Sequence, residues 1–234
     1  MNQALNRKIV VLPGLDGTGL LLKRFCEYAP DGVDVEVLAL PNDPIDDYDT
    51  IGDFISERIR GLESCDLVTE SFSGPIGILL AHRHPEIVRS LTLVASFANS
   101  PAPAFAKVIP WSILVRLPMP SFFAKRFLVG SDDSLVSELK RAIRQTSPKT
   151  LVRRLQCLMN IDVTGPLSEL KSELIYIRPI QDRLIPKRTV ETIVAANPAV
   201  SVREIDGPHM ILQTSPGQVW ELIDNAKRNR NSQT

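Results

Sequence analysis

The sequence predicts an α/β fold, in which a trimmed, mostly parallel sheet carries helices on both faces and an inserted helical cap. Short apolar runs typical of buried strands alternate with segments of helical periodicity along residues 1–97. The alternation stops between residues 98 and 165 and then resumes. Because one sheet needs both flanks, this interruption indicates an insertion into one domain rather than a second independent domain.

The first part of the chain predicts four strands and three helices. Prolines mark several of their ends: Pro13 follows the first strand, Pro41 closes the second strand and Pro85 stops the third helix. In chain order we predict a strand at 9–12, a helix at 16–28, a strand at 33–40, a helix at 49–62, a strand at 65–68, a helix at 75–84 and a strand at 90–95.

The last part of the chain returns to the same alternation. We predict a strand at 174–177, a helix at 186–196, a strand at 201–205 and a final helix at 216–227. Residues 1–97 and 166–234 are therefore expected to form the core domain, and residues 98–165 the cap. Only about six residues precede the first strand, which leaves no room for an additional N-terminal hairpin.

Length, charge and cysteine usage bound the function. The 234 residues fit one domain, and 27 basic residues balance 27 acidic ones, which argues against a nucleic-acid binder. The three cysteines are far apart and lack metal-site spacing, so we expect unpaired thiols in a reducing compartment. No leader segment and no membrane span of ~18 apolar residues is apparent, which predicts a cytoplasmic protein.

Three residues could perform nucleophilic chemistry together. Ser71 lies on a predicted strand-to-helix turn, and Asp182 and His209 each follow a later predicted strand. Ligands bind outside the carboxyl ends of strands in open α/β sheets, so the three side chains should meet at one edge. A serine hydroxyl needs a base to become a nucleophile, and the base needs an orienting carboxylate. The order predicts Ser71 as nucleophile, Asp182 as acid and His209 as base.

A glycine-rich loop at residues 13–19 follows the first predicted strand. Glycines let a backbone approach a substrate closely, so this loop can supply an oxyanion-binding amide. We expect the two oxyanion donors to be the backbone N–H groups of Leu15 and Phe72. A nucleotide site is the alternative for this loop. Its G-x-x-G-x-G spacing differs from the dinucleotide pattern, and no phosphate-binding lysine follows.

These segments resemble the α/β-hydrolase superfamily over nearly the whole chain. The matching stretches are 12–19, 70–75, 181–186 and 207–209. Family members usually have glycine two residues on either side of the nucleophile, whereas this chain has Thr69 and Ser73 there. Ser73 has a similar local outline to Ser71, but aligning Gly74 with the family's later glycine favours Ser71 as the nucleophile.

The resemblance implies a serine carboxylic-ester hydrolase that works through an acyl-enzyme, without a metal or organic cofactor. Size and cap position are similar to the small esterases that include the pimeloyl-[acyl-carrier protein] methyl ester esterase group of biotin biosynthesis. A small ester with an apolar acyl chain is the expected substrate. A thioesterase or acyltransferase with the same three residues is one alternative, and a non-catalytic hydrolase-fold binding module is another.

The predicted cap is basic. It contains ten basic and four acidic residues, and six of the bases cluster without an acid between them: Lys140, Arg141, Arg144, Lys149, Arg153 and Arg154. These six form the basic cluster. Helical periodicity places the side chains of Lys149 and Arg154 toward water. The cluster is either a solvated face that balances an acidic core, or a docking patch for an anionic partner such as an acyl carrier protein.

Apolar residues make up the other share of the cap. Some of them should roof the active site and select an acyl chain, while most should pack the cap onto the core. They are Phe97, Phe105, Trp111, Leu114, Leu117, Met119, Phe122 and Phe123.

Overall fold

One six-stranded sheet, parallel throughout, forms the centre of the computed structural model, which describes residues 7–231. The order of its strands is β2-β1-β3-β4-β5-β6. Their bounds are β1 Arg7–Leu12, β2 Val33–Val37, β3 Cys65–Glu70, β4 Val88–Val94, β5 Glu173–Pro179 and β6 Ser201–Ile205. The predicted fold class is confirmed. Residues 1–6, on which the expectation of no leader segment partly rests, lie outside the described residues.

The strand register aligns the carboxyl ends that carry the candidate residues. Leu12 of β1 pairs with Thr69 of β3, and Pro179 of β5 pairs with Ile205 of β6. Glu70, the last residue of β3, pairs with Val94 of β4. The loops that follow β1, β3, β5 and β6 therefore leave the sheet at one common edge, as expected for ligand sites in open parallel sheets.

Helices connect and cover the strands. They are α1 Lys23–Glu27, α2 Tyr48–Ile59, α3 Gly74–Arg83, α4 Trp111–Leu114, α5 Ser121–Ala124, α6 Asp133–Gln145, α7 Pro148–Leu158, α8 Thr164–Ser168, α9 Arg188–Ala196, α10 Ile211–Thr214 and α11 Pro216–Asn231. Shorter 3₁₀ helices span Leu20–Leu22, Ser71–Ser73 and Ala104–Val108, and a π-helical turn spans Lys125–Val129. Most predicted bounds agree within a few residues.

The first predicted helix is shorter than its apolar pattern suggested. Helical structure begins only at Leu20, because Gly17 and Gly19 have positive φ angles of 70° and 75°. Such angles belong to a left-handed turn, which cannot continue a right-handed helix. The second strand is shorter as well, since Leu40 N donates a hydrogen bond to Gly17 O (2.8 Å) instead of extending the sheet.

Side chains on alternate positions of β1 enter two separate cores. Val10 and Leu12 pack with α2 and α3 on one face of the sheet, while Ile9 and Val11 pack with α1 and α11 on the other. On the second face Phe25 and Trp220 stack at 4.5 Å between ring centroids. Both faces are thus covered, as a parallel sheet requires.

The chain between β4 and β5 forms α4 to α8, and within residues 98–165 the structure has no strand of the main sheet. The ends of this segment meet, because Val163 N donates to Ala98 O (2.8 Å) and Ser100 N donates to Ile161 O (3.0 Å). Pro110 and Pro120 precede α4 and α5, and α5 continues without a break into the π-helical turn Lys125–Val129. The division into a core and a 98–165 cap stays a prediction.

None of the helices in the described range 7–231 is both long enough and apolar enough to cross a bilayer. Cys26, Cys65 and Cys157 are free thiols.

Candidate active site

Ser71 occupies a strained turn directly after β3. Its φ angle is 50°, a left-handed value that is uncommon for a residue with a side chain. The 3₁₀ helix that begins at Ser71 leads into α3, so the strand reverses into a helix within three residues. Strain of this kind is tolerated where the surrounding structure enforces it, and it projects the serine hydroxyl above the sheet edge.

The structure brings Ser71, His209 and Asp182 into one hydrogen-bonded line. His209 Nε2 lies 2.9 Å from Ser71 Oγ, and His209 Nδ1 lies 2.8 Å from Asp182 Oδ2. The imidazole is buried, with 4 % of His209 exposed. An ionised carboxylate only accepts hydrogen bonds, so it selects the tautomer with Nδ1–H, which leaves Nε2 to accept from the serine hydroxyl.

Backbone amides orient the Asp182 carboxylate. Its Oδ1 accepts hydrogen bonds from Leu184 N (2.8 Å) and Ile185 N (3.0 Å), which leaves Oδ2 to face the imidazole. The loop that carries Asp182 is also tied to the loop that carries His209, because Gln181 N donates to Gly207 O (3.1 Å). The carboxylate is therefore held by both loops before any substrate binds.

His209 depends on a glycine turn after β6. Gly207 has a φ angle of 151°, and a Cβ on this residue would collide with Ile211 Cδ1. The backbone amide of Met210, which directly follows His209, donates to Leu128 O (2.9 Å) in the segment 98–165. Both the turn and Leu128, in the segment 98–165, thus hold the position of the imidazole.

Thr69 fits the turn because helix α3 has a glycine opposite it. A Cβ added to Gly77 would lie 2.6 Å from Thr69 Cγ2, so the threonine methyl occupies the space that a larger helix residue would need. The Thr69 hydroxyl donates to Thr92 O (3.4 Å) on β4. The threonine at this position is therefore accommodated by Gly77.

Ser73 is buried, and its hydroxyl donates to the carbonyl oxygen of Pro13. It thus ties the turn to the glycine-rich loop and has no contact with His209 among the hydrogen bonds of the described chain. Nearby, Ser96 Oγ donates to Ser71 O (2.6 Å), in a space that a Cβ on Gly74 would fill. Tyr176 Oη in turn donates to Ser96 O (2.8 Å).

The glycine-rich loop lies against the serine turn. A Cβ on Gly14 would be 3.8 Å from Ser71 Cβ, which places the peptide that contains Leu15 N–H beside the serine. Gly17 N donates to Gly14 O (3.0 Å) and closes this loop into a turn. Phe72, whose N–H is the other expected donor, directly follows Ser71 and is fully buried.

Arg154 clamps this loop from the cap segment. Its Nη1 donates to Leu15 O (2.7 Å) and its Nη2 donates to Pro41 O (2.9 Å). The guanidinium fills the space beside Gly17 that a Cβ would occupy, which explains the glycine at that position. Burial lowers the pKa of Arg154 to about 10, an effect that the nearby negative charge of Asp16 opposes. The group thus stays a cation at neutral pH.

The prediction that Arg154 faces water is wrong. Only 2 % of the residue is exposed, because its side chain turns inward to the loop carbonyls instead of lying on the helix surface. Arg141, Arg144 and Lys149 are exposed, Lys140 Nζ donates to Ser121 Oγ (2.7 Å), and Arg153 forms an ion pair with Asp46 (2.9 Å). Arg154 is therefore excluded from any docking patch on the basic cluster.

Glu70, immediately before the serine, is a buried carboxyl. Its Oε2 accepts from Gln213 Nε2 (3.2 Å), while its Oε1 and Gln213 Oε1 have no partner within the described chain. Burial raises the pKa of Glu70 to about 7, although Gln213 and the charge on His209 lower it and Asp16 raises it further. The carboxyl therefore exchanges a proton near neutral pH.

Most of the predicted apolar cap residues do not pack onto the core, which corrects the expectation from the sequence. Phe97 is fully buried, but five of the eight are exposed: Phe105, Leu114, Leu117, Phe122 and Phe123. Residues 104–114 form only two short helices of five and four residues, which present no continuous apolar face to the core.

A cavity of about 350 Å³ lies next to Asp182. Asp182 lines it together with Pro101, Arg178 and Ile185.

Sequence reasoning missed the residues that support the site. Ser96, Arg154, Gln213 and Tyr176 act through single contacts between distant elements, and no local pattern marks them. Glu70 had one signal, since a carboxyl inside an apolar strand is unusual unless it is paired.

Solved structures are similar to this chain, whereas comparisons of its sequence find no relative. A scan against protein-family models finds no match, and no curated protein matches the chain. A carboxylesterase structure from Nitrososphaera gargenis has a TM-score of 0.82 at 14% identity and covers 100% of this chain and 94% of its own. An esterase from Exiguobacterium antarcticum has a TM-score of 0.82 at 13% identity, covering 94% and 91% of the two chains.

An enol-lactonase from Burkholderia xenovorans LB400 is also similar, with a TM-score of 0.79 at 11% identity and coverage of 96% and 92%. The chain therefore has the α/β-hydrolase fold.

Substituting Gly77→Ala should destabilise the protein by about 1–3 kcal/mol, because the new methyl group collides with Thr69. Combining it with Thr69→Ala should recover part of this loss. Urea unfolding of the two single variants and the double variant measures the coupling. Gly165→Ala, which meets no atom within 4 Å, is the control. Additive effects of the two substitutions would contradict this account of the turn.

Stability should fall as pH rises from 4.5 to 7 because of Glu70. The unfolded carboxyl loses its proton near its ordinary pKa of 4.5, whereas the folded one keeps it until about pH 7. The decline amounts to about 3 kcal/mol at most and should disappear in Glu70→Gln. Urea unfolding at pH 5 and pH 8 tests this, with the exposed Glu57→Gln as control. Parallel pH curves for wild type and Glu70→Gln would rule it out.

Proposed function

We propose that this protein is a serine carboxylic-ester hydrolase. The observation that carries the proposal is the line of hydrogen bonds from Ser71 through His209 to Asp182, built on a strained turn at the carboxyl edge of the sheet. Separate elements position each of the three side chains. A serine, a base and an orienting carboxylate in this geometry are what nucleophilic acyl transfer requires.

In the first half of the reaction, Ser71 Oγ attacks the ester carbonyl carbon while its proton moves to His209 Nε2. Asp182 stabilises the imidazolium that forms. The N–H groups of Leu15 and Phe72 bind the oxyanion of the tetrahedral intermediate. When the C–O bond to the alcohol breaks, His209 gives its proton to the departing oxygen, and an acyl-Ser71 ester remains.

In the second half, His209 takes a proton from a water molecule, and the water oxygen attacks the acyl carbon. The second tetrahedral intermediate collapses, the proton returns to Ser71 Oγ, and the carboxylic acid leaves. Each half transfers one proton through the imidazole and forms and breaks one C–O bond. The side chains of this site hold and move all the protons involved.

Several of the structural neighbours support an ester as the substrate. The similar structures are described as carboxylesterases, an esterase and an enol-lactonase, and each of these acts on an ester bond. At 11–14% identity these neighbours support an ester bond as the bond that is cleaved. They do not indicate which alcohol or acyl group the ester carries. The exposed apolar residues of the cap segment favour a substrate with an apolar acyl chain.

A methyl ester of a carrier-bound acyl chain, such as a pimeloyl group, is the narrower form of this proposal. Its support is the exposed part of the basic cluster, Arg141, Arg144 and Lys149, which presents positive charge to an acidic carrier. Arg153 adds less, because Asp46 already neutralises it. A thioesterase or acyltransferase would use the same three catalytic residues, so the substrate series below separates these alternatives.

Wild-type protein should hydrolyse p-nitrophenyl esters, and Ser71→Ala should reduce kcat by at least about 10³-fold because the nucleophile is lost. Steady-state rates with acetyl to decanoyl esters, matched thioesters and a methyl acyl-carrier substrate measure the preference. Ser73→Ala is the matched control and should retain a measurable kcat. If Ser71→Ala keeps the wild-type kcat, Ser71 is not the nucleophile and the proposal fails. If wild type turns over none of these esters, the proposal also fails and a binding module is favoured.

Arg154→Met should lower kcat by about 10- to 100-fold with a smaller change in KM. The substitution frees the Leu15 carbonyl and loosens the loop whose amide faces the oxyanion. Rates are referred to active sites titrated with a fluorophosphonate, so that loss of folded protein does not imitate loss of kcat.

Arg153→Met is the matched control for Arg154→Met, since Arg153 is adjacent in sequence but lies on the surface. Its kcat should stay within about twofold of wild type. Equal kcat values for the two variants would show that Arg154 does not position the oxyanion loop.

A further inference from the structure

Large apolar side chains are concentrated on the outside of one stretch of the cap segment. Seven of the twelve exposed large hydrophobic residues in the described chain lie between positions 105 and 123, so they are not scattered at random. They are Phe105, Val108, Ile113, Leu114, Leu117, Phe122 and Phe123. Val108 is 83 % exposed and Phe122 is 75 % exposed. We call residues 104–126 the exposed apolar segment.

The charge of this stretch has a single sign. Residues 98–131 contain no aspartate or glutamate but contain Lys107, Arg116, Lys125 and Arg126. Lys125 forms an ion pair with Asp133 (2.5 Å), and the other three are exposed. A surface that combines protruding apolar side chains with unneutralised bases is complementary to an anionic, partly apolar partner.

The exposed apolar segment is anchored beside the candidate active site. Ala124 and Val129 are buried in the same cluster as Met210, which follows His209. At the other end Ala106 is buried, and Trp111 Nε1 donates to its carbonyl oxygen (2.9 Å). The apolar side chains thus project from a segment that is packed at both ends.

We propose that the exposed apolar segment docks this protein on the surface of an anionic phospholipid bilayer. Aromatic and aliphatic side chains enter the boundary between headgroups and acyl chains, while Lys107, Arg116 and Arg126 contact lipid phosphates. A second copy of the chain is a poorer occupant, because a symmetric contact would bring the same bases together without any carboxylate. The docking places the His209 side of the sheet edge at the membrane.

Docking also assigns a substrate source, and this part rests on the proposed function. An ester with an apolar acyl chain partitions into the bilayer. When the exposed apolar segment lies in the membrane interface next to His209, the acyl chain can pass from the bilayer to the candidate active site. The substrate class is then a membrane-resident ester, which is an alternative to the carrier-bound methyl ester of the narrower proposal.

Vesicle co-sedimentation with the Ser71→Ala protein tests docking without any chemistry. Vesicles contain phosphatidylglycerol mixed with phosphatidylcholine, or phosphatidylcholine alone. An apolar variant carries Phe105→Ser, Ile113→Ser and Phe122→Ser, and a charge variant carries Lys107→Glu, Arg116→Glu and Arg126→Glu. The matched controls are Val194→Ser, an exposed apolar position on α9, and Arg60→Glu, which follows α2 near the amino end of β3.

Ser71→Ala and both control variants should sediment with the anionic vesicles at least about tenfold more than with neutral ones. The apolar and charge variants should each lose at least about tenfold of this binding, with unchanged circular dichroism melting curves. Equal sedimentation of all variants, or none with anionic vesicles, overturns the proposal.

A concentration-dependent dimer that the apolar variant abolishes would make a second copy the occupant and would also overturn it. If the protein binds vesicles but turns over no ester, the proposed function is refuted and the docking proposal stands.

Discussion

The positive φ angle of Ser71 is the constraint around which the rest of the site is arranged. A residue with a side chain holds such an angle only when its surroundings leave no alternative. Here the surroundings are helix α3 packed unusually close to the sheet. Gly74 admits the Ser96 hydroxyl that binds the Ser71 carbonyl, and Gly77 admits the Thr69 methyl group. The two glycines of α3 thus provide the space that lets the helix pack close to this turn.

The second feature is the dependence of the candidate active site on residues 98–165. Arg154 reaches from α7 to the carbonyls of Leu15 and Pro41, and Leu128 accepts a hydrogen bond from the amide after His209. A buried guanidinium gains its stability from such hydrogen bonds, since burial disfavours its charge. Residues 98–165 therefore support the candidate site directly, because they hold both the loop beside the serine and the turn that carries the imidazole.

The candidate active site and the exposed apolar segment lie on neighbouring surfaces. Ser71, His209 and Asp182 lie at the carboxyl edge of the sheet, and the carboxyl end of the exposed apolar segment shares a buried cluster with Met210, next to His209. Residues 104–114 form only short helices, and their large apolar side chains stay exposed instead of packing against the core. This leaves an outward apolar surface close to the site.

Strand and helix order, the edge at which the loops gather, and the identity of Ser71, Asp182 and His209 follow from the sequence by itself, because periodicity and turn residues are local signals. The sequence could not show that Arg154 turns inward, that Gly77 accommodates Thr69, or that Glu70 and Gln213 share a buried contact. Nor could it show that Phe105 and Phe122 stay exposed. Each of these depends on which distant side chain fills a given space, and only the packed tertiary structure decides that.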